Sequence, residues 1–362
     1  MAQKKNISLK KPTKQDKINS FNPNDAAIFD GIFGLPFDAD ESDTILIPVP
    51  WEVTVSYHTG TAKGPQAILE ASYQVDLFDP FLPDAWKRGI FMDQPHPNIL
   101  KKNHLLRKKV DTYIEILDKN SSSAKNKKEK IRKEINTACE WLNNTIKKSS
   151  LSYLNQNKLV ALVGGDHSTP FGFIQAVAEH FGKFSLLQID AHADLRPAYQ
   201  GFKYSHASIM YNVVQQIDTL DKLVQVGIRD YCEQEYEMCQ THPKIKTFFD
   251  KDIKHDLYRG DSWDKICNRI VKELSDKVYI SFDIDGLDPK LCPHTGTPVA
   301  GGLDTEQILY LFEKIVLSGK KIIGFDLNEV APGKNDDWDA NVAARLLYRM
   351  INIAQRSRHE PL

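Results

Sequence analysis

From residue 44 onward, short β-branched or apolar runs alternate with longer stretches in which apolar residues recur with helical spacing. The runs 44–49, 159–163, 184–189, 223–226, 278–282 and 322–327 predict strands, because brief apolar segments bounded by polar residues fit a sheet interior. Between them, 170–180, 207–216, 262–274, 305–317 and 340–353 read as helices. Thr169 ahead of Pro170, and Asp304 followed by Gln307, are suitable helix starts. Strands and helices in alternation predict an α/β fold with a mainly parallel central sheet covered by helices on both faces.

Other stretches break this rhythm. Residues 1–22 are polar and Lys-rich, the composition of a basic, solvated and mostly disordered tail. The Pro- and Asp-containing 23–43 stretch reads as an N-terminal extension that packs against the body or a neighbouring subunit. Residues 98–158 are charged, with a low-complexity centre at 121–130 between two amphipathic stretches. They read as a peripheral helical hairpin with a mobile link, inserted into one domain over 44–362.

Composition narrows the partners. The chain has 362 residues, 41% of them hydrophobic, enough for one large α/β core with appendages. A formal net charge of -1 gives no global field for nucleic acid or an anionic membrane, and no apolar run reaches the length of a membrane span. Five cysteines, none in a C-x-x-C pair, fit reduced thiols in the cytoplasm.

Four segments gather His and Asp where predicted strands end: Gly164-Gly165-Asp166-His167-Ser168, Asp190-Ala191-His192-Ala193-Asp194, Asp283-Ile284-Asp285 and Asn328-Glu329. Ligands of open α/β sheets bind beyond the carboxyl ends of the strands. Alternate positions of an extended backbone point to one side, so each Asp-containing set converges. His with several carboxylates is the donor set of divalent ions such as Mn, Fe, Co or Ni, not of thiolate-rich structural zinc. Four Asp carboxylates brought together repel strongly unless cations sit among them. Any one segment alone is an ordinary turn or surface pair; four, each after an apolar strand, point to metal.

At these residues the sequence resembles the ureohydrolases: arginases, agmatinases, guanidinobutyrases and formimidoylglutamases. The resemblance rests on the segments above, on Ser-Phe-Asp-Ile-Asp-Gly-Leu-Asp-Pro at 281–289, on Thr-Gly-Thr-Pro-Val-Ala-Gly-Gly-Leu at 295–303 and on Glu329, and it spans 44–353. It implies a three-layer αβα arginase-like fold and two divalent ions per chain, Mn2+ or Ni2+. His167, Asp190, Asp194 and Asp283 would hold one ion; His192, Asp190, Asp283 and Asp285 would hold the other. It further implies urea release from a guanidino compound, with the ions activating a water. Asp194 would orient that water, Glu329 would grip the guanidinium, and His206 would deliver a proton to the leaving nitrogen. Thr297, Arg196 and Glu329 would bind substrate, and a homo-oligomer, trimer or hexamer, is implied.

The substrate's far end is read from Arg196, which stands where arginases place an Asn. A free cation there opposes agmatine's tail and attracts an anionic one, unless Asp or Glu neutralises it. The stretches 32–37, 48–57, 194–196, 204–208 and 338–341 resemble the agmatinase-like branch that includes enzymes acting on free guanidine. Free guanidine is therefore the favoured substrate. Agmatine, guanidinobutyrate and a formimino substrate are the alternatives, and a non-catalytic metal-binding scaffold is the rival of another class. His58 and His294 read as loop residues, and Trp51, Tyr57 and Trp338 as packing or loop anchors, with substrate contact the alternative.

Overall fold

In the computed structural model, which describes residues 11–118 and 125–358, the strands are β1 (Thr44–Val49), β2 (Ile90–Met92), β3 (Leu159–Gly164), β4 (Phe184–Ile189), β5 (Leu220–Ile228), β6 (Ile245–Phe249), β7 (Lys277–Asp283) and β8 (Lys321–Asn328). They form one sheet in the order β2-β1-β3-β8-β7-β4-β5-β6, with every neighbouring pair parallel. The helices are α1 (Lys14–Ser20), α2 (Gly64–Ser72), α3 (Pro97–Asp118), α4 (Lys125–Leu154), α5 (Phe171–Phe181), α6 (Ile209–Gln216), α7 (Glu233–Thr241), α8 (Asp250–Tyr258), α9 (Trp263–Lys272), α10 (Thr305–Leu317) and α11 (Trp338–Arg358).

Successive strand residues supply opposite faces. On β3, Leu159, Ala161 and Val163 join a core with Ile68 of α2, Ile270 of α9, Phe312 of α10 and Leu347 of α11. Val160 and Leu162 join a second core with Val110 of α3, Leu142 of α4, Phe173 of α5 and Val213 of α6. The result is the three-layer αβα arrangement. All six predicted strands are present; the two not predicted, β2 and β6, are the sheet's edges.

Two segments depart from expectation. Residues 14–20, placed in the disordered tail, form α1: Thr13 and Asp16 make a reciprocal cap, Lys17 pairs with Glu41, and Ile18 packs against the core. Residues 1–10 of that tail lie outside the described residues. Within 98–158, α4 is no peripheral element. Its Ile131, Ile135, Cys139, Leu142, Ile146 and Leu154 are buried, and it lies so close to α5 that a Cβ on Gly172 would sit 2.1 Å from the Asn143 carbonyl oxygen. Of the expected mobile link at 121–130, residues 125–130 instead form the start of α4, and 121–124 lie outside the described residues. In the 23–43 stretch, Ile32, Phe33, Leu35 and Phe37 are buried in the core, and the Phe33 N–H donates to Ser72 Oγ at 2.9 Å. Among the described residues no helix is long and apolar enough to cross a membrane.

Candidate metal centre

Because β3, β8, β7 and β4 are neighbours and parallel, the loops that follow them open at one edge of the sheet. Tight packing sets their paths. A Cβ on Gly165 would meet the Trp51 carbonyl oxygen at 1.9 Å, and the Asp166 N–H donates to that same oxygen at 2.8 Å. Trp51 is thus fully buried scaffolding for the loop that presents His167. Asp194 and Glu329 adopt positive φ, 52° and 61°, a conformation costly for residues with a Cβ and concentrated at functional sites.

His167 Nδ1 lies 3.0 Å from Asp190 Oδ2, 3.1 Å from Asp194 Oδ2 and 3.2 Å from Asp283 Oδ2. His192 Nδ1 lies 3.0 Å from Asp285 Oδ2 and 3.6 Å from Asp190 Oδ1. His167, Asp190 and Asp283 form one group able to hold a cation; Asp190, His192 and Asp285 form another. Asp190 belongs to both. Backbone donors orient the acids: the Asp285 N–H to Asp283 Oδ1 at 2.9 Å, the Ala191 N–H to Asp285 Oδ1 at 3.1 Å, and the His192 N–H to Asp190 Oδ1 at 2.6 Å.

These residues fit divalent ions. His167 Nε2 meets Ser281 Oγ at 2.9 Å, and Ser281 Oγ donates to Asp326 Oδ1 at 3.0 Å. That chain puts the ring proton on Nε2 and leaves the Nδ1 lone pair facing the carboxylates, the outer-sphere arrangement of a neutral imidazole ligand. Nδ1 is buried and, among the described residues, makes no aligned hydrogen bond. Electrostatics agree. Burial and the Asp190 charge push Asp194 up to about 7, and burial with the charges of Asp285 and Asp190 holds Asp283 well above the carboxylate range. Burial opposes charging His167, yet the facing carboxylates of Asp190, Asp194 and Asp283 outweigh it and raise its pKa. Without cations, protons must fill the cluster.

The centre floors a cavity of about 160 Å³ that Asp194, Glu329, His206, Thr297 and Arg196 also line. Glu329 Oε1 accepts the His167 N–H at 2.8 Å, whereas Oε2 faces Gly296, where a Cβ would come within 3.2 Å. Burial and the charge of Asp166 raise Glu329 well above its usual pKa. His206 is pushed down to about 3, by burial and then by His192, and lies edge-on to the Tyr199 ring at 5.8 Å.

Arg196 is not a free cation. Its Nε lies 3.4 Å from Glu235 Oε2, and its guanidinium sits over the Tyr199 ring at 5.2 Å. Asp230 is a second acid on the wall. Sequence reasoning missed Ser56, Tyr199, Asp230, Tyr231 and Glu235 as cavity residues. For Asp230 the signal was present but cut short: β5 runs past 226 through Gly227, at φ 95°, to Ile228. Arg229 then ties the Asp285 carbonyl at 2.7 Å and that of Val299 at 2.9 Å. Away from the cavity, His294 lies in a turn, as read from the sequence, and is anchored there with Nδ1 2.8 Å from Asp339 Oδ2. Tyr57 is exposed and stacks on His58 at 4.0 Å. Trp338 Nε1 donates to the Lys290 carbonyl at 2.9 Å.

The arginase family's sequence profile matches residues 42–352. The chain belongs to the arginase family. Among arginase-family relatives, the N(1)-aminopropylagmatine ureohydrolase of Thermus thermophilus is 33% identical over 87% of this chain and 91% of its own length. The agmatinase of Bacillus cereus is 25% identical over 86% of this chain and 91% of its own. The crystal structure of the agmatine ureohydrolase of Thermoplasma volcanium superposes with a TM-score of 0.68 at 22% identity, covering 94% of this chain and 98% of that one. The chain is a ureohydrolase-family enzyme acting on linear amidine C–N bonds, and its two adjacent His/Asp groups match the binuclear centre of that family.

Proposed function

We propose that this enzyme hydrolyses a small guanidino cation to urea, with free guanidine the preferred substrate, at a centre holding two Mn2+ or Ni2+ ions. The observation that carries the substrate reading is the cavity, about 160 Å³. That is smaller than the roughly 300–1,000 Å³ of pockets for drug-sized ligands and suits a compact guanidinium with an attacking water beside it. His167, Asp190, Asp194 and Asp283 would hold one ion, and His192, Asp190, Asp283 and Asp285 the other. The ions would supply Lewis acidity and an activated water.

This chain's residues do the rest. Glu329 Oε2, which among the described residues accepts no hydrogen bond, takes the guanidinium in charge-assisted bonds, and Thr297 closes that wall. The cationic substrate offsets the burial and the Asp166 charge that raise the Glu329 pKa. Asp194 orients the attacking water. His206 is neutral before the reaction and takes up a proton to pass to the leaving nitrogen.

A second reading is favoured by the cavity mouth. Arg196 is paired with Glu235, and Asp230 lies nearby, so the charge argument against agmatine fails, and agmatine-type substrates with cationic tails gain support. The same pairing removes the free cation that guanidinobutyrate or a formimino-glutamate substrate would need. A panel of guanidine, agmatine, aminopropylagmatine, guanidinobutyrate and arginine, scored for urea after metal loading, tests both readings. Guanidine should give the highest kcat/KM. Agmatine or its aminopropyl derivative leading would transfer the assignment to the second reading, and an anionic substrate or arginine leading would defeat both.

A further inference from the structure

Behind the metal centre runs a line of buried polar side chains with no part in the reaction scheme above. Gln188 on β4 and Gln225 on β5 are fully buried, and Thr247 stands beside them on β6. Thr247 Oγ1 donates to Gln225 Oε1 at 2.7 Å. Gln225 Nε2 donates to Gln188 Oε1 at 2.7 Å and to the Ala193 carbonyl at 2.9 Å. Gln188 Nε2 donates to Asp190 Oδ2 at 2.8 Å and to the His192 carbonyl at 3.2 Å.

Every step has a fixed direction. Both amide nitrogens donate twice and both amide oxygens accept, so neither side chain can be flipped without breaking the chain. Two amides flanked along their strands by the buried side chains of Leu187, Ile189, Val224 and Val226 are costly to bury unless fully satisfied, and an apolar pair would fill the space at lower cost. What an apolar pair cannot do is end on Asp190. That carboxylate accepts the His192 N–H on Oδ1 and the Gln188 amide on Oδ2. Each oxygen thus has one protein donor and keeps a lone pair turned to the His residues on either side. The amides also hold the carbonyls of His192 and Ala193, fixing the path of the loop between Asp190 and Asp194.

We propose that Gln188, backed by Gln225 and Thr247, is a positioning residue for Asp190, turning one carboxylate oxygen to each ion position. This rests on the binuclear reading. A neutral amide suits the task because it donates without a titratable proton to lose.

The test uses metal-free full-length protein titrated with Mn2+ alone, followed by calorimetry and by the paramagnetic signal of free Mn2+. The unaltered protein should take up two ions. Gln188→Leu should weaken both, by about 10–100-fold in affinity, because one carboxylate serves both positions. The Mn2+ concentration for half-maximal activity should rise while the KM for the guanidino substrate stays put. Gln188→Glu, which keeps the shape and loses the donor, should weaken both ions as well. Folded variants that bind two ions with unaltered affinity would overturn the proposal, as would failure of both variants to fold, which would make the amides a requirement of the sheet. Fewer than two ions on the unaltered protein would instead overturn the binuclear reading.

Discussion

Single residues divide the chemistry by what surrounds them. Asp190 lies in both metal groups and Asp283 is assigned to both ions, so Asp190→Ala or Asp283→Ala should abolish two-ion uptake, whereas His192→Ala should spare the His167 position. Metal analysis after loading and desalting distinguishes these; full double occupancy in Asp190→Ala would contradict the bridging assignment. His206 differs because burial holds it near 3. A His with a depressed pKa stays neutral at every working pH, so the free enzyme's kcat/KM should show no His206 inflection near the ordinary value of about 6.5. His206→Ala should lower kcat by about 10²-fold or more with metal content intact. Turnover close to that of the unaltered enzyme would leave His206 a wall of the cavity and nothing more.

At the scale of elements, what the sequence revealed depended on how completely an element is buried. The six interior strands were legible because both faces are covered, giving continuous apolar runs. Edge strand β2 has three residues, and β6 reads Ile-Lys-Thr-Phe-Phe with its middle partly exposed, so neither gives such a run. The metal loops were legible because their residues are contiguous after strands. Glu235 was not, since it comes from the first turn of α7 and is tied to the site by accepting the Leu195 N–H at 3.1 Å and by pairing with Arg196. The amphipathic character of α4 was legible, but its Lys-rich surface made it read as peripheral and hid the contact with α5. That contact is testable: Gly172→Ala places a methyl against the Asn143 carbonyl, and overpacking of this kind costs about 1–3 kcal/mol. Denaturant unfolding should show the loss; unchanged stability would mean that the two helices separate freely.

For the whole molecule, the cluster couples folding, metal and pH. Asp194 is raised to about 7 and Asp283 well above the carboxylate range, first by burial, while neighbouring carboxylates raise His167 and His192 against their burial. In each case the metal-free folded state binds protons more tightly than the unfolded chain. Stability from such groups is present at low pH and is lost as pH rises through the folded pKa. Asp190 is shifted the other way, but its stability is lost only in strong acid. His206 contributes oppositely, losing stability as pH falls from about 6.5, so the clean window lies above that value. Between about pH 7 and 9 the Tm of metal-free protein should therefore decline. Ligands must shed their protons to bind metal, so affinity should rise over the same range and the Tm gain from saturating Mn2+ should grow with pH. Scanning calorimetry with and without Mn2+, in buffers matched for ionic strength, reads both slopes. A Mn2+ gain that is constant across the window would show that the cluster is already deprotonated at neutral pH and that its acids are balanced by something other than protons.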